Sequence, residues 1–260
     1  MNLKEQIKHA TQGSVIYAPL KDVYQFAFNH RSWQRRKRKA AFFSQFVLKN
    51  DLVFDVGANV GEYTELFVGL GARVVAIEPN VQLVPVLKRV WPLNRVTVEC
   101  LALGSEEGSA DLYLCGRDYL STLSNEWIAV AERSERFSGI HWSEKIAVPV
   151  STLDALIKKY GMPKFIKIDV EGFENEVLAG LSIAPQFLSF EFNSEFAEAA
   201  ASCVAQDCFP ADATFNVVAE PSTEFLFDQW VNRDEMFRLL ENREFLTAKP
   251  NGDIYVCTSR

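Results

Sequence analysis

The chain has 260 residues, 48% of them hydrophobic, enough to bury a full-sized core without disulfides or a structural metal. Its formal charge of −7 excludes a general phosphate-binding surface, because nucleic-acid affinity rests on basic side chains displacing counterions. The opening MNLKEQIKHA lacks the apolar stretch of a signal peptide, and no segment approaches the roughly 18 apolar residues of a membrane span. A soluble, cytoplasmic protein is expected. Cys100, Cys115, Cys203, Cys208 and Cys257 are scattered singly, with no CxxC pair, and read as reduced, buried thiols.

From residue 1 to about 50 the apolar positions, among them Phe26, Phe42, Phe43, Phe46 and Val47, follow helical spacing, which predicts a helical N-terminal extension. Within it His30 to Lys39 reads HRSWQRRKRK. That basic run is either the solvated face of a helix or a dock for an acidic partner, an anionic surface or a phosphorylated substrate. The rest, 51–260, reads as one catalytic domain. Short apolar runs alternate there with helical stretches: LVFDVG at 52–57, ARVVAIEP at 72–79, VTVECLAL at 96–103, FIKIDVEG at 165–172 and FLSFEF at 187–192. Runs apolar on both faces are what strands of a parallel sheet covered by helices require.

The interval between the third and fourth runs, about 105–150, is too long for a plain crossover and predicts an inserted cap. It holds ADLYL, Ser121 to Leu123, a helix near Trp127 to Arg133, and KIAVPV. The part from about Cys115 to Ile146 is expected over an acceptor pocket, with Tyr119, Trp127 and Trp142 offering exposed faces to a sugar ring. Ser151 to Asp154 then makes a capping-box-like start for the next helix. The chain ends with FNVVAE, a helix over 234–245, and a last strand at 252–259 expected antiparallel at the sheet edge.

The sharpest chemical signal is Asp55-Val56-Gly57-Ala58-Asn59-Val60-Gly61-Glu62 after the first run, followed by Glu78 after the second. A glycine turn between strand and helix lets backbone approach a ligand, and an acid at the next strand end accepts hydrogen bonds from ribose hydroxyls. Charge discriminates among nucleoside cofactors. A dinucleotide seats its pyrophosphate at the helix N-terminus, where Glu62 would repel it; S-adenosylmethionine carries a sulfonium and an ammonium, which carboxylates favour. The candidate cofactor-binding residues are Asp55, Gly57, Asn59, Gly61 and Glu78, with Ala102 and Leu103 closing the third run.

The second signal is Lys167-Ile168-Asp169-Val170-Glu171-Gly172-Phe173-Glu174. Ligands of open α/β sheets sit beyond the carboxyl ends of the strands, so Asp169 and Glu171 are expected in the same crevice as Glu78. Lys167 needs a partner, either Asp169 or Glu191 on the neighbouring strand. A hydroxyl acceptor is a poor nucleophile and calls for a base: Asp169 first, then Glu171 and His141. The spacing carries no metal signature and no metal ligands are assigned, although Asp169, Glu171 and Glu191 would suit Mg²⁺.

The ordered series DVGANVGEYT, AIEP, ALGSEEGSADLYL, Ser121-Thr122-Leu123, VPVSTLDAL and FIKIDVEGFENEVLAG resembles the FkbM-type methyltransferase family over roughly residues 52–192. The resemblance implies a class I methyltransferase fold of the Rossmann-like α/β kind, a mostly parallel seven-stranded sheet with an antiparallel strand. It also implies S-adenosylmethionine at the Gly57 to Gly61 turn and Glu78, and O-methylation of a sugar or natural-product hydroxyl. The acceptor is then a small molecule or glycan. Three rivals stand beside this reading. An NAD-dependent oxidoreductase is opposed by Glu62, a nucleic-acid methyltransferase by the negative charge, and an inactive cofactor-binding module shares the fold.

Overall fold

A computed structural model describes residues 30–90, 94–115, 121–134 and 139–258. The helical reading of residues 1–29, with Phe26, and the expected exposure of Tyr119 lie outside the described residues. The first described helix is α1 (His30–Phe43). Seven strands make the main sheet: β1 (Leu52–Val56), β2 (Arg73–Ile77), β3 (Val96–Glu99), β7 (Phe165–Ile168), β8 (Phe187–Asn193), β9 (Thr214–Ala219) and β10 (Asn251–Cys257). Their order is β3-β2-β1-β7-β8-β10-β9, with β10 antiparallel to both β8 and β9 and the other pairs parallel. This is the class I methyltransferase topology, including the reversed strand. That strand slots between β8 and β9 rather than adding at the sheet edge, since β9 takes the edge itself.

Helices cover both faces, as the doubly apolar strands require, and α3 (Val84–Val90) links β2 to β3. On one side α1 and α2 (Glu62–Gly69) seal a core in which Phe43 at the end of α1 and Phe46 just after it pack edge-to-face, tilted or stacked against Phe165 and Tyr255. On the other, α5 (Leu153–Tyr160), α6 (Glu174–Ala179), α7 (Ala197–Val204) and α8 (Arg233–Glu241) cover Phe54, Ile166, Phe190 and Ile254. The inward face of α1 also carries charge. Arg36 pairs with Glu65 at 2.6 Å and Lys39 with Glu62 at 2.8 Å, while Arg35, Lys37 and Arg38 stay exposed. Part of the basic run therefore meets acids of its own chain.

Three further expectations about elements are corrected, and the long interval gains a sheet of its own. The run VTVECLAL is not one strand: β3 ends at Glu99, and β4 (Ala102–Leu103) turns away to pair with Val150 and Ser151. A continuous apolar run does not reveal which of two sheets each half joins. The interval 105–150 contains β5 (Gly108–Cys115) and β6 (Trp142–Ser151), antiparallel partners that form a second sheet in the order β4-β6-β5, with α4 (Asn125–Ala131) between them. The cap of α5 is Thr152, which accepts from the Ala155 amide, rather than Ser151; Asp154 reaches across to Ser182. The helix over 234–245 is broken at Asn242, whose side chain accepts from Glu244 and Phe245 and starts α9 (Arg243–Ala248). All five cysteines are free thiols, but only Cys115, Cys203 and Cys208 are buried. No described helix is long and apolar enough to cross a membrane.

Candidate active site

Strand β1 ends in the turn Gly57–Gly61, which feeds α2. Gly57 is left-handed at φ 77°, and a Cβ there would lie 1.8 Å from the Asp169 carbonyl oxygen, so only glycine lets β1 and the loop after β7 run so close. The amides of Gly57 and Ala58 both donate to Ile77 O, and that of Asp169 to Val56 O. Gly61, at φ 88°, occupies the N-cap of α2. Asn59 is also left-handed, at φ 50°.

Glu78, at the end of β2, is buried, and its carboxylate accepts from the Asn59 amide at 2.7 Å and the Asn80 amide at 2.8 Å. Burial pushes its pKa up to about 7, against the pull of those two amides. Asp55 lies beneath the turn. It is 2% exposed, accepts from the Thr64 hydroxyl, and sits beside Lys167 in the sheet register. Burial raises its pKa to about 6, opposed by Thr64 and Lys167.

These elements enclose a cavity of about 250 Å³. Of the sequence-predicted residues, Gly57, Asn59, Glu78, Ala102, Leu103, Asp169 and Glu171 line it. Asp55 supports it from below, Gly61 sets the helix start behind it, and His141 is exposed at the entry to β6 and does not line it. Ser121 and Leu123 close one side, so this part of the 115–146 stretch does reach the Gly57 turn. The faces of Trp127 and Trp142 do not. Trp127 is 3% exposed, packed edge-on to Trp142, parallel to Phe196 and over Gly172, so its surface is spent on the protein itself. Among the described residues the lining holds Glu62, Glu78, Asp169 and Glu171 and no Lys, Arg or His. Such a wall suits a cationic ligand with hydroxyls to donate and is ill-suited to a pyrophosphate.

The floor at β7 is built around Lys167. Its ammonium is fully buried and lies 3.1 Å from Asp169 Oδ2 and 3.0 Å from Asp253 Oδ1, with the Tyr63 ring above it at 5.1 Å. Burial alone would depress its pKa, but Asp169 and Asp253 hold it well above the usual lysine value. Asp253, on β10, is the partner that sequence reasoning missed, because only the register of an antiparallel strand from the far end of the chain brings it there. Glu191, named as an alternative partner, instead joins Asp169 and Glu171 in a group whose oxygens lie within 4.8 Å of one another. Burial and the neighbouring acids raise its pKa well above the ordinary range. Glu174, Thr122 and Tyr63 were also missed as parts of the site.

The family model described as methyltransferase FkbM domain matches residues 55–239. The chain belongs to this family. FkbM proteins are S-adenosylmethionine-dependent methyltransferases, and the acid-lined cavity at the Gly57 turn and Glu78 fits that cofactor. No curated protein matches the chain. Among solved structures it is similar to a precorrin-6y C5,15-methyltransferase from Geobacter metallireducens, at 10% identity and TM-score 0.40, covering 85% of this chain and 88% of that one. It is also similar to an rRNA methylase from Streptococcus thermophilus, at 10% identity and TM-score 0.41, covering 85% and 94%. These likenesses leave the acceptor open.

Proposed function

We propose that this FkbM-family protein O-methylates a hydroxyl of a sugar or natural product, with Asp169 as the base. The observation that carries the reading is the position of Asp169, on the floor of the cofactor cavity with one carboxylate oxygen tied to Lys167 and Glu171 beside it. S-adenosylmethionine, held by Glu78 and the Gly57–Gly61 turn, supplies an electrophilic methyl group. Asp169 takes the proton of the acceptor hydroxyl as the oxygen becomes nucleophilic, a contribution of roughly 10²–10⁴-fold in base catalysis. Lys167 holds the Asp169 carboxylate in place, and Glu171 accepts a hydrogen bond that orients the acceptor. Leu123, Leu103 and Phe173 keep water from the reacting oxygen. The step as drawn uses no magnesium: Asp169, steadied by Lys167 at Oδ2, takes the proton itself.

A nucleic-acid acceptor fits less well: the cavity wall is acidic, and Arg36 and Lys39 of the basic run are engaged by Glu65 and Glu62. The free thiols accord with work in a reducing compartment such as the cytoplasm. Transfer from ¹³C-methyl-labelled donor to a panel of glycans and hydroxylated natural products, followed by carbon NMR, tests the reading. The label is expected in an O-methyl ether, and label in an N-methyl or C-methyl group would overturn it. Asp169→Asn is expected to lower kcat by roughly 10²–10⁴-fold with unchanged affinity for S-adenosylhomocysteine. A less stable but fully active variant would leave Asp169 only a structural role.

A further inference from the structure

We infer that Glu174 and Thr122 are positioning residues that clamp the loop after β7 in its reactive shape, an inference that rests on the activity proposed above. Glu171 is not glycine, yet its backbone is left-handed at φ 53°, followed by Gly172 at φ 89°. A side-chain-bearing residue keeps that conformation only where its surroundings impose it, and such residues gather at functional sites. Here the constraints are visible on both sides. The amides that flank Glu171, those of Val170 and Gly172, both donate to Glu174 Oε1, at 3.1 and 3.3 Å. The Glu171 carbonyl accepts from the Thr122 hydroxyl at 2.7 Å.

Both clamping residues are rigidly held. Glu174 is 7% exposed at the start of α6. Thr122 is completely buried; its backbone pairs in both directions with Tyr113, and its hydroxyl also accepts from the Ser124 amide. The Trp127 ring closes over Gly172, where a Cβ would come within 2.4 Å of it. The second sheet therefore grips the catalytic loop through Thr122 while α6 grips it through Glu174. The result is that Glu171 faces the cavity beside Asp169, with Glu191 within 4.8 Å, a crowding of acids that the imposed backbone holds in place.

A plain helix-start acid would also stabilise α6, so the test separates positioning from stability. Glu174→Ala removes the acceptor for both amides, whereas Glu174→Gln keeps an oxygen there; Thr122→Val removes the hydroxyl, whereas Thr122→Ser keeps it. Rates are referred to the fraction of protein that binds S-adenosylhomocysteine. The expected result is a fall in kcat on the order of 10²-fold for the Ala and Val variants. Cofactor-product affinity stays unchanged, the Gln and Ser variants recover most of the rate, and the Val170 and Gly172 amides exchange faster with solvent in Glu174→Ala. Wild-type kcat in Glu174→Ala and Thr122→Val overturns the inference, as does a Gln variant as impaired as Ala, or a lowered Tm with rate per binding site intact. Should the wild-type chain methylate no hydroxyl, the proposed activity falls. The amide exchange rates then decide by themselves whether Glu174 holds the loop.

Discussion

Replacing Lys167 with methionine, Lys167→Met, tests the floor of the site most directly. The ammonium is fully buried and serves two carboxylates at 3.1 and 3.0 Å, Asp169 with a side chain 33% exposed and Asp253 with one 18% exposed. Methionine fills a similar volume, so the change removes charge and hydrogen bonds and leaves little cavity. Breaking a buried pair by deleting one partner costs about 3–5 kcal/mol, because the other charge stays behind without compensation. Water screens Asp169, which places the orphaned cost mainly on Asp253 and favours the lower end of that range. For a chain of this size each kcal/mol shifts Tm by roughly 2–4 °C, so calorimetry should show a fall of roughly 6–12 °C. Asp253→Asn in the Lys167→Met background should return part of the loss, because it removes the stranded charge. A Tm unchanged in Lys167→Met, or a further fall in the double variant, would refute this account of the ion pair.

Two other outcomes follow from the turn and the β2 acid. Glu78 has a native pKa of about 7, above its unfolded value, so its protonated form stabilises the fold at low pH and that contribution is lost as pH rises through about 7. A cofactor whose hydroxyls donate to the ionised carboxylate should therefore bind more tightly from pH 6 to pH 8; calorimetric titration with S-adenosylhomocysteine should show this rise and Glu78→Gln should abolish it. Gly57→Ala sets a methyl group 1.8 Å from the Asp169 carbonyl at a φ of 77°, and should both lower Tm and weaken S-adenosylhomocysteine binding; a variant with wild-type values of both would show that the turn relaxes freely.

What the sequence disclosed about the site is what lies next to its own strand end. Gly57, Asn59 and Glu78 each follow a strand directly, and Asp169 and Glu171 follow β7, so the strand pattern alone carries them to one crevice. Asp253 reads as an unremarkable polar residue until β10 is known to run antiparallel beside β8. Thr122 appeared within a recognisable tripeptide, but its hydroxyl acquires a purpose only when β5 is known to carry it onto the Glu171 carbonyl. His141 shows the converse: a titratable residue beside a tryptophan invited a catalytic reading, and the start of β6 leaves it in solvent.

Asp253 is brought in by β10 of the main sheet, whereas Thr122 stayed hidden because the second sheet delivers it. Ala102 and Leu103 belong to that second sheet, not to the main sheet, yet they line the cofactor cavity; Leu112 of β5 lines the same cavity, and Thr122 and Trp127 hold the loop that bears Glu171. The main sheet supplies the glycine turn, the two strand-end acids and the buried lysine, all of which parallel register brings together. The second sheet supplies the wall and the clamp, and its strands reach the site through pairings between residues such as Leu103 and Ser151 that are far apart in the chain. Cofactor recognition is thus written locally, at strand ends. The shape of the catalytic loop depends on contacts that exist only once both sheets have formed, which is why removing one hydroxyl at Thr122 is expected to slow methyl transfer and leave cofactor affinity untouched.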